Sequence, residues 1–173
     1  MTKIQIAVYL CPVNDALIHP IFKTLSQTAD KLNMKAFVVG GFVRDLILRN
    51  PNKDIDIVVV GSGVDFAEEF FKDLKLSGNL TVFRNFGTAQ IKFGDWIIEI
   101  IGARKESYRR ESRKPIVENG TLEDDQNRRD FTINSLYLSL NSSDFGQLFD
   151  PFNGIQDIQN KFGVMLEREV NIY

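Results

Sequence analysis

The chain has little cysteine and no long apolar runs. Cys11 is the only cysteine among 173 residues, which excludes an internal disulfide and any zinc site built from several thiolates. Its unbroken apolar runs span only a few residues, against the roughly 20 that a helix needs to cross a bilayer. The apolar stretch at 4–13 is interrupted by Gln5 and lacks the basic flank of a signal peptide. We therefore expect a protein of the reducing cytoplasm that does not interact with a membrane.

A strong positive charge is also absent. The formal net charge is −2, so no global field attracts a polyanion, and any contact with nucleic acid or nucleotide must be local. Basic residues concentrate in the segment 104–114, which is interrupted by Glu106 and Glu111. The basic side chains of this segment are Arg104, Lys105, Arg109, Arg110, Arg113 and Lys114. The segment is either a solvated loop or a local contact site.

The apolar residues recur at helical spacing in some segments and follow a β-rich pattern in others. Apolar positions at 21–32 and 66–74 recur every three or four residues and predict amphipathic helices, and a further helix is predicted at 43–48. Thr121 and Asp124 form a capping-box pattern that predicts a helix starting at Leu122. Strands are predicted at 36–39, 55–60, 80–83, 88–93 and 96–101. The predicted fold is α/β (α+β), a mixed sheet with flanking helices.

Three carboxylates are candidates for a shared face of this sheet. Successive side chains of a strand point to opposite faces, so Asp54 and Asp56 point the same way, roughly 7 Å apart. Glu99 lies between Ile98 and Ile100, where an ionised carboxylate is costly unless it is paired, solvated or bound to a cation. If the strand of Glu99 neighbours that of the aspartates, the three acids repel one another and Mg²⁺ can relieve the repulsion. The alternative is a set of ordinary surface acids at a strand edge.

A glycine pair marks the point where a predicted strand passes into a helix. Gly40 and Gly41 allow the backbone to approach a ligand closely, and the N–H groups of the helix start face anions, so a triphosphate suits this turn. Arg44 lies one turn into the helix, where it can reach a phosphate or pair with Asp45 on the helix surface. The third glycine of a dinucleotide-binding fingerprint is missing.

A second set of basic residues lies directly before an apolar segment. Arg128, Arg129 and Asp130 directly precede the apolar positions of 131–136. Arginine is well shaped for bidentate contact with phosphate, and Asn134 can hydrogen-bond a sugar, a base or a neighbouring backbone group. The pattern is equally consistent with a ligand-facing edge and with a purely structural role.

Three segments, taken in order, resemble the motifs of class II CCA-adding enzymes and bacterial poly(A) polymerases. The first motif is Gly-Gly-Phe-Val-Arg-Asp at 40–45, the second is Asp-Ile-Asp at 54–56, and the third is Arg-Arg-Asp-Phe-Thr-Ile-Asn at 128–134. The segment at 150–157 resembles the end of that family's head domain, so the resemblance extends over about residues 20–160. It implies the polymerase-β-like nucleotidyltransferase fold.

The resemblance also implies domain boundaries and residue roles. A catalytic head domain is expected at 1–160, and 161–173 is the segment where the family's neck would begin. Asp54 and Asp56 are implied to bind Mg²⁺, for which Mn²⁺ can substitute, and Glu99 to be the third catalytic carboxylate. The residues implied to bind the nucleotide are Gly40, Gly41, Arg44, Asp45, Arg129, Asp130 and Asn134. The segment at 104–114 corresponds to a region that is mobile in the family and near RNA.

The activity implied is metal-dependent transfer of a nucleotidyl group from ATP or CTP to the 3′-hydroxyl of RNA. Addition of CCA to tRNA is the leading interpretation, with poly(A) addition as the alternative; the sequence carries no prediction of oligomeric state. A non-catalytic nucleotide- or RNA-binding module is a second hypothesis, against which the retained acids at 54, 56 and 99 argue. A stand-alone nucleotidyltransferase acting on a protein or drug is a third, which would be expected to carry Gly-Ser in place of Gly40 and Gly41.

Base selectivity is the first property to test. In the resembling family a Glu-Asp-x-x-Arg motif of the neck reads the base edge, and this chain reaches Tyr173 without it. We therefore expect the 173-residue chain to be poorly active, and to bind ATP, CTP, GTP and UTP within a few-fold of one another, because phosphate and metal contacts are common to all four. Calorimetric titration with each nucleotide measures this. A tenfold preference, about 1.4 kcal/mol, would contradict the expectation.

Overall fold

Residues 16–75, 78–107 and 116–161, with 163 and 165, are described by a computed structural model of the chain. Cys11, the apolar stretch at 4–13 and residues 108–114 of the basic segment lie outside the described residues. The interpretations of those segments therefore remain predictions.

The described part of the chain alternates helices and strands. Its helices are α1 (Pro20–Lys31), α2 (Gly41–Leu48), α3 (Gly63–Leu74), α4 (Leu122–Asn127) and α5 (Gly154–Asn160). Its strands are β1 (Lys35–Val39), β2 (Asp54–Val60), β3 (Asn79–Phe83), β4 (Thr88–Phe93), β5 (Trp96–Gly102), β6 (Arg104–Ser107), β7 (Ile116–Asn119), β8 (Tyr137–Ser139) and β9 (Leu148–Phe149). Short 3₁₀ turns span Arg84–Phe86 and Thr132–Asn134. None of the helices in these ranges is long and apolar enough to cross a bilayer.

The elements predicted from the sequence are present, with ends that differ by a few residues at most. The capping box of α4 is confirmed, because the Thr121 hydroxyl accepts from the Asp124 N–H at 3.2 Å and the Asp124 carboxylate accepts from the Thr121 N–H at 2.8 Å. Strands β6 to β9 and helix α5 were not predicted. These elements are only two to seven residues long, too short for a periodic pattern to emerge.

The main sheet has seven strands in the order β3-β4-β5-β2-β1-β8-β9. Strands β3, β4 and β5 form the predicted antiparallel meander. Strand β2 pairs with β5 in parallel and with β1 in antiparallel orientation. The strand, glycine turn and helix at 35–48 are therefore not part of a parallel βαβ unit, which agrees with the missing dinucleotide fingerprint. A separate two-stranded sheet is formed by β6 and β7.

The two faces of β2 have different surroundings. Ile55 and Ile57 point into the main core, which they share with apolar side chains of α1, α2 and α3. Val58 belongs to a smaller apolar cluster on the other face with Phe37 and Tyr137. Because side chains alternate along a strand, the acids at 54 and 56 share the face of Val58, away from the three helices.

Candidate active site

The parallel pairing of β2 with β5 brings the three predicted carboxylates together. Asp56 is the direct register partner of Glu99, while Asp54 lies opposite Ile97. Register partners on neighbouring strands project from the same face, so Glu99 and both aspartates occupy adjacent positions on one face of the sheet. Asp54 is exposed, whereas Asp56 and Glu99 are partly buried.

This arrangement disfavours the ionised form of Asp56. Burial is the main cause that raises the pKa of the Asp56 carboxyl, and the charges of Glu99 and Asp54 raise it further. The Arg129 guanidinium opposes them and lowers the same pKa. A carboxylate destabilised by burial and by like charges is a group that a bound cation would stabilise.

The ligand set suits a cation that is shared with a substrate. Among the described residues, no three or more His, Cys, Asp or Glu side chains are grouped so that they could hold a metal ion by themselves. Mg²⁺ commonly uses one or two carboxylates and completes its shell with water and substrate phosphates. Asp54 and Asp56, two acids on one face, match that requirement.

Gly40 lies beside both the Asp56 carboxylate and the Arg129 guanidinium. It follows β1 and precedes α2 with a φ of +73°, a conformation that favours glycine. A Cβ atom at this position would lie 3.3 Å from Arg129 Nη1 and 3.4 Å from Asp56 Oδ2. The Gly40 N–H donates to the carbonyl of Leu136 at 3.3 Å, which ties the turn to the chain before β8. The turn thus lies against a carboxylate and a guanidinium at once.

Arg44 connects the first motif with the third. Its Nη1 donates to Asn134 Oδ1 at 2.8 Å and its Nε donates to Asp45 Oδ1 at 3.0 Å. The other oxygen of Asp45 accepts from Asn52 Nδ2 at 2.7 Å. Gly41 begins α2, and a Cβ there would lie 3.5 Å from Arg44 Nη2. The pairing of Arg44 with Asp45 was foreseen from the sequence, whereas the partner of the Asn134 side chain is the Arg44 guanidinium and not the neighbouring backbone group that was considered.

Arg129 belongs to a buried ion cluster formed by Asp125, Arg128, Arg129 and Tyr137. The Asp125 carboxylate is fully buried, and its Oδ2 accepts from Nε and Nη2 of Arg129, each at 3.1 Å. Arg128 Nε donates to the other oxygen of Asp125 at 2.8 Å. Two guanidinium groups therefore share the Asp125 carboxylate, and one of them, that of Arg129, lies beside Gly40. Asp130, the next residue, is exposed.

The 3₁₀ turn of the third motif is supported by the segment at 150–157. Thr132 Oγ1 donates to Asp157 Oδ2 at 2.6 Å. Gly154 packs so tightly on the Thr132 carbonyl that a Cβ atom would overlap it. The Asp150 carboxylate in turn accepts the N–H groups at the start of α5, from Gly154 at 2.7 Å and from Ile155 at 3.1 Å. This segment therefore fixes the backbone that carries Asn134.

Sequence reasoning missed two members of the buried ion cluster, Asp125 and Tyr137. Asp125 precedes Arg128 and Arg129 by three and four residues, which is the helical spacing of ion pairs and could have indicated it. Nothing in the sequence distinguishes the Tyr137 hydroxyl from that of any other strand tyrosine. Both residues are recognised only in the structure, where α4 and β8 bring them together at the Arg129 guanidinium.

The mixed sheet with its helices and glycine turn is the nucleotidyltransferase fold of CCA-adding enzymes, as predicted from the sequence. The chain belongs to the family described as "Poly A polymerase head domain", whose model matches residues 36–162. The resemblance to class II CCA-adding enzymes and bacterial poly(A) polymerases is thereby confirmed.

Comparison with individual proteins gives the same family. The chain is 40% identical over 128 residues to the A-adding tRNA nucleotidyltransferase of Aquifex aeolicus, covering 74% of this chain and 15% of that protein. It is 40% identical to a solved CCA-adding enzyme in its apo form, with a TM-score of 0.72 over 87% of this chain and 33% of the other. A solved tRNA nucleotidyltransferase complexed with a primer tRNA and an incoming ATP analogue is 37% identical, with a TM-score of 0.69 over 81% and 38% of the two chains. The chain thus spans a minor part of these relatives.

The raised pKa of Asp56 makes a prediction about stability. The folded chain holds the Asp56 proton more tightly than the unfolded chain, whose carboxyl has its ordinary pKa of 3.8, so ionised Asp56 destabilises the fold at neutral pH. Asp56→Asn should therefore raise the melting temperature at about pH 7 in the absence of divalent cations. The gain should shrink as the pH falls through the raised folded-state pKa and disappear below 3.8, where Asp56 is protonated in both states.

Thermal unfolding across a pH series measures this effect. Asp54→Asn is the matched control and should give a smaller gain, because the Asp54 side chain is exposed. An unchanged or lower melting temperature of Asp56→Asn at neutral pH would show that the Asp56 carboxylate is not under electrostatic strain.

Proposed function

We propose that this chain is the catalytic head of an RNA nucleotidyltransferase that transfers a nucleotidyl group from ATP or CTP to the 3′-hydroxyl of tRNA. One observation carries the proposal: Asp56 Oδ2 and Arg129 Nη1 both lie within 3.4 Å of the position that a Cβ atom would take on Gly40. A carboxylate and a guanidinium that both border the glycine turn suit a metal-bound triphosphate. The metal ion needs oxygen ligands, and the phosphates need hydrogen-bond donors.

Each group then has a role that follows from its position. Asp54 and Asp56 would hold Mg²⁺ or Mn²⁺, which when bound activates the attacking hydroxyl and neutralises the leaving pyrophosphate. Glu99, beside Asp56 on β5, would orient the 3′-hydroxyl as the third carboxylate. Arg129 would contact the phosphates. Residues 1–160 would form the head domain.

The groups of the first motif would complete the nucleotide site. The backbone at Gly40 and Gly41 can approach the triphosphate closely, and the start of α2 presents N–H groups to it. Arg44, supported by Asp45, would add a second cation, and Asn134 would hold the two arginines in register. Asp130, which is exposed, would contact the sugar of the nucleotide.

The choice of tRNA and ATP rests on relatives. One solved relative was complexed with a primer tRNA and an incoming ATP analogue, and another with CTP. Addition of CCA to tRNA is the primary proposal. Addition of A alone is a second candidate, favoured by the Aquifex aeolicus relative, which is named A-adding. We place the protein in the cytoplasm on the argument from its single cysteine.

Metal binding by the aspartates is directly measurable. We expect the Asp54→Asn, Asp56→Asn double variant to lose the Mn²⁺ binding of the parent chain, because it removes both carboxylate ligands. Calorimetric titration of Mn²⁺ gives the affinity. The matched control is Glu69→Gln with Asp73→Asn, which removes two acids that pair with Lys31 away from the site. Equal Mn²⁺ binding by the site variant and the parent would eliminate the metal site.

Nucleotide binding tests the proposed phosphate contact. Arg129→Ala should weaken ATP·Mg²⁺ binding about thirtyfold, which corresponds to about 2 kcal/mol for a charge-assisted contact. Arg84→Ala is the control, because Arg84 is an exposed arginine paired with Glu68 on the surface. Thermal unfolding of each variant confirms that it is folded. Arg129→Ala binding as tightly as the parent would refute the role of Arg129.

A further inference from the structure

Asp125 and Tyr137 hold one edge of the Arg129 guanidinium. Asp125 Oδ2 accepts from Nε and Nη2 of Arg129, each at 3.1 Å. The Tyr137 hydroxyl accepts from Arg129 Nε at 2.8 Å and donates to Asp125 Oδ2 at 2.9 Å. Both Asp125 and Tyr137 are fully buried, so neither side chain is accessible to a bound nucleotide. Any effect of these two residues on binding must be indirect, and Arg129 is the bonded neighbour that both of them share.

Fixing this edge determines where the rest of the guanidinium points. The group is planar, so contacts at Nε and Nη2 set the direction of Nη1. Nη1 donates to the Asn134 carbonyl at 3.3 Å and lies 3.3 Å from the position that a Cβ would take on Gly40. The guanidinium carbon also lies 5.2 Å from the centre of the Tyr137 ring, within range of a cation–π interaction.

We propose that Asp125 and Tyr137 are positioning residues, which hold Arg129 so that Nη1 faces the phosphates of the incoming nucleotide. This inference rests on the proposed function, in which Arg129 contacts those phosphates. A free arginine loses rotamer entropy when it is immobilised on a ligand. In this protein the side chain is already ordered by folding, so that loss does not reduce the affinity for nucleotide.

Asp125 is not paired with Arg129 alone, because its carboxylate is shared with Arg128. Burial raises the pKa of the Tyr137 hydroxyl above its ordinary value, so that hydroxyl stays neutral and continues to donate to Asp125. A single carboxylate paired only with Arg129 would hold it equally well but would neutralise it.

The decisive variant is Tyr137→Phe. It removes one hydroxyl and keeps the ring, which packs edge-on against Phe37 with a centroid distance of 6.3 Å. Calorimetry should show ATP·Mg²⁺ binding about fivefold weaker, the equivalent of about 1 kcal/mol for one hydrogen bond. Ser139→Ala is the matched control on the same strand, because it removes a buried hydroxyl that donates to Asp144 at 2.6 Å. It should lower the melting temperature similarly and leave ATP affinity unchanged.

A double-mutant cycle shows whether Tyr137 acts through Arg129. In an Arg129→Lys background, which lacks the planar fork, Tyr137→Phe should cause no further loss of ATP affinity. An equal loss in both backgrounds would overturn the inference. No loss from Tyr137→Phe beside a clear loss from Arg129→Lys would also overturn it, while leaving the proposed function intact.

A second measurement requires no nucleotide. In the parent chain the Arg129 Nε–H, which donates to both Asp125 and Tyr137, should give a slowly exchanging ¹⁵N side-chain NMR signal, assigned by its disappearance in Arg129→Lys. Tyr137→Phe should accelerate that exchange, and Ser139→Ala should not. Fast exchange in the parent would overturn the positioning role even if nucleotide binding were as proposed. Slow exchange together with ATP binding that is insensitive to Arg129→Ala would instead show that the proposed function is at fault.

Discussion

The close approach of three chain segments at Gly40 is the constraint on which the site depends. Strand β1 ends there with a positive φ, and the absence of a side chain leaves room for Asp56 from the neighbouring strand and for Arg129. A methyl group in this position would press on both. The electrostatics follow from the geometry, because Arg129 offsets part of the burial and repulsion that raise the pKa of Asp56. Without Arg129, the ionised Asp56 carboxylate would be less well tolerated at this depth.

The charged groups around Gly40 are paired unevenly. Asp45 pairs with Arg44, and Asp125 pairs with Arg128 and Arg129, whereas Asp54, Asp56 and Glu99 are three neighbouring acids on one face of the sheet. A triphosphate placed at the glycine turn would meet too few cationic groups to be neutralised by the protein alone. A divalent cation between the carboxylates and the phosphates would offset the negative charge on both sides, since each side supplies oxygen ligands. This is the electrostatic reason for proposing that the acids and the arginines form one site.

Local features of the fold were predictable because they depend on neighbouring residues. The β-branched run at 55–60, the same-face spacing of Asp54 and Asp56, and the capping box at Thr121 were each visible in a short stretch of sequence. The parallel pairing of β2 with β5 could only be assumed from the sequence, because a helix and two strands separate these two strands along the chain. The position of Glu99 beside Asp56 depends on this long-range pairing.

Other parts of the site had no local signal. Strands β8 and β9 are three and two residues long, so tertiary contacts rather than periodicity determine them. Asp125 had the correct spacing for pairing with the arginines, but that spacing also describes a surface ion pair of little consequence. Its complete burial distinguishes it, and that burial places its carboxylate against Tyr137 of β8, whose hydroxyl donates to it at 2.9 Å. The chemical roles of the motif residues remain predictions from the motifs, whereas the role of Asp125 is inferred from its contacts.

The groups that meet at Gly40 also bear on how one head domain can serve different products. A carboxylate and a guanidinium recognise a metal ion and phosphates, which every nucleoside triphosphate carries, and neither group distinguishes one base from another. Relatives named A-adding and CCA-adding both contain this head as a minor part of their length. Because the features that fix Arg129 and Asp56 are contacts of backbone and buried side chains, they can persist unchanged while base selection is determined elsewhere. Under the proposed function, one head domain is therefore compatible with relatives that are named for different products.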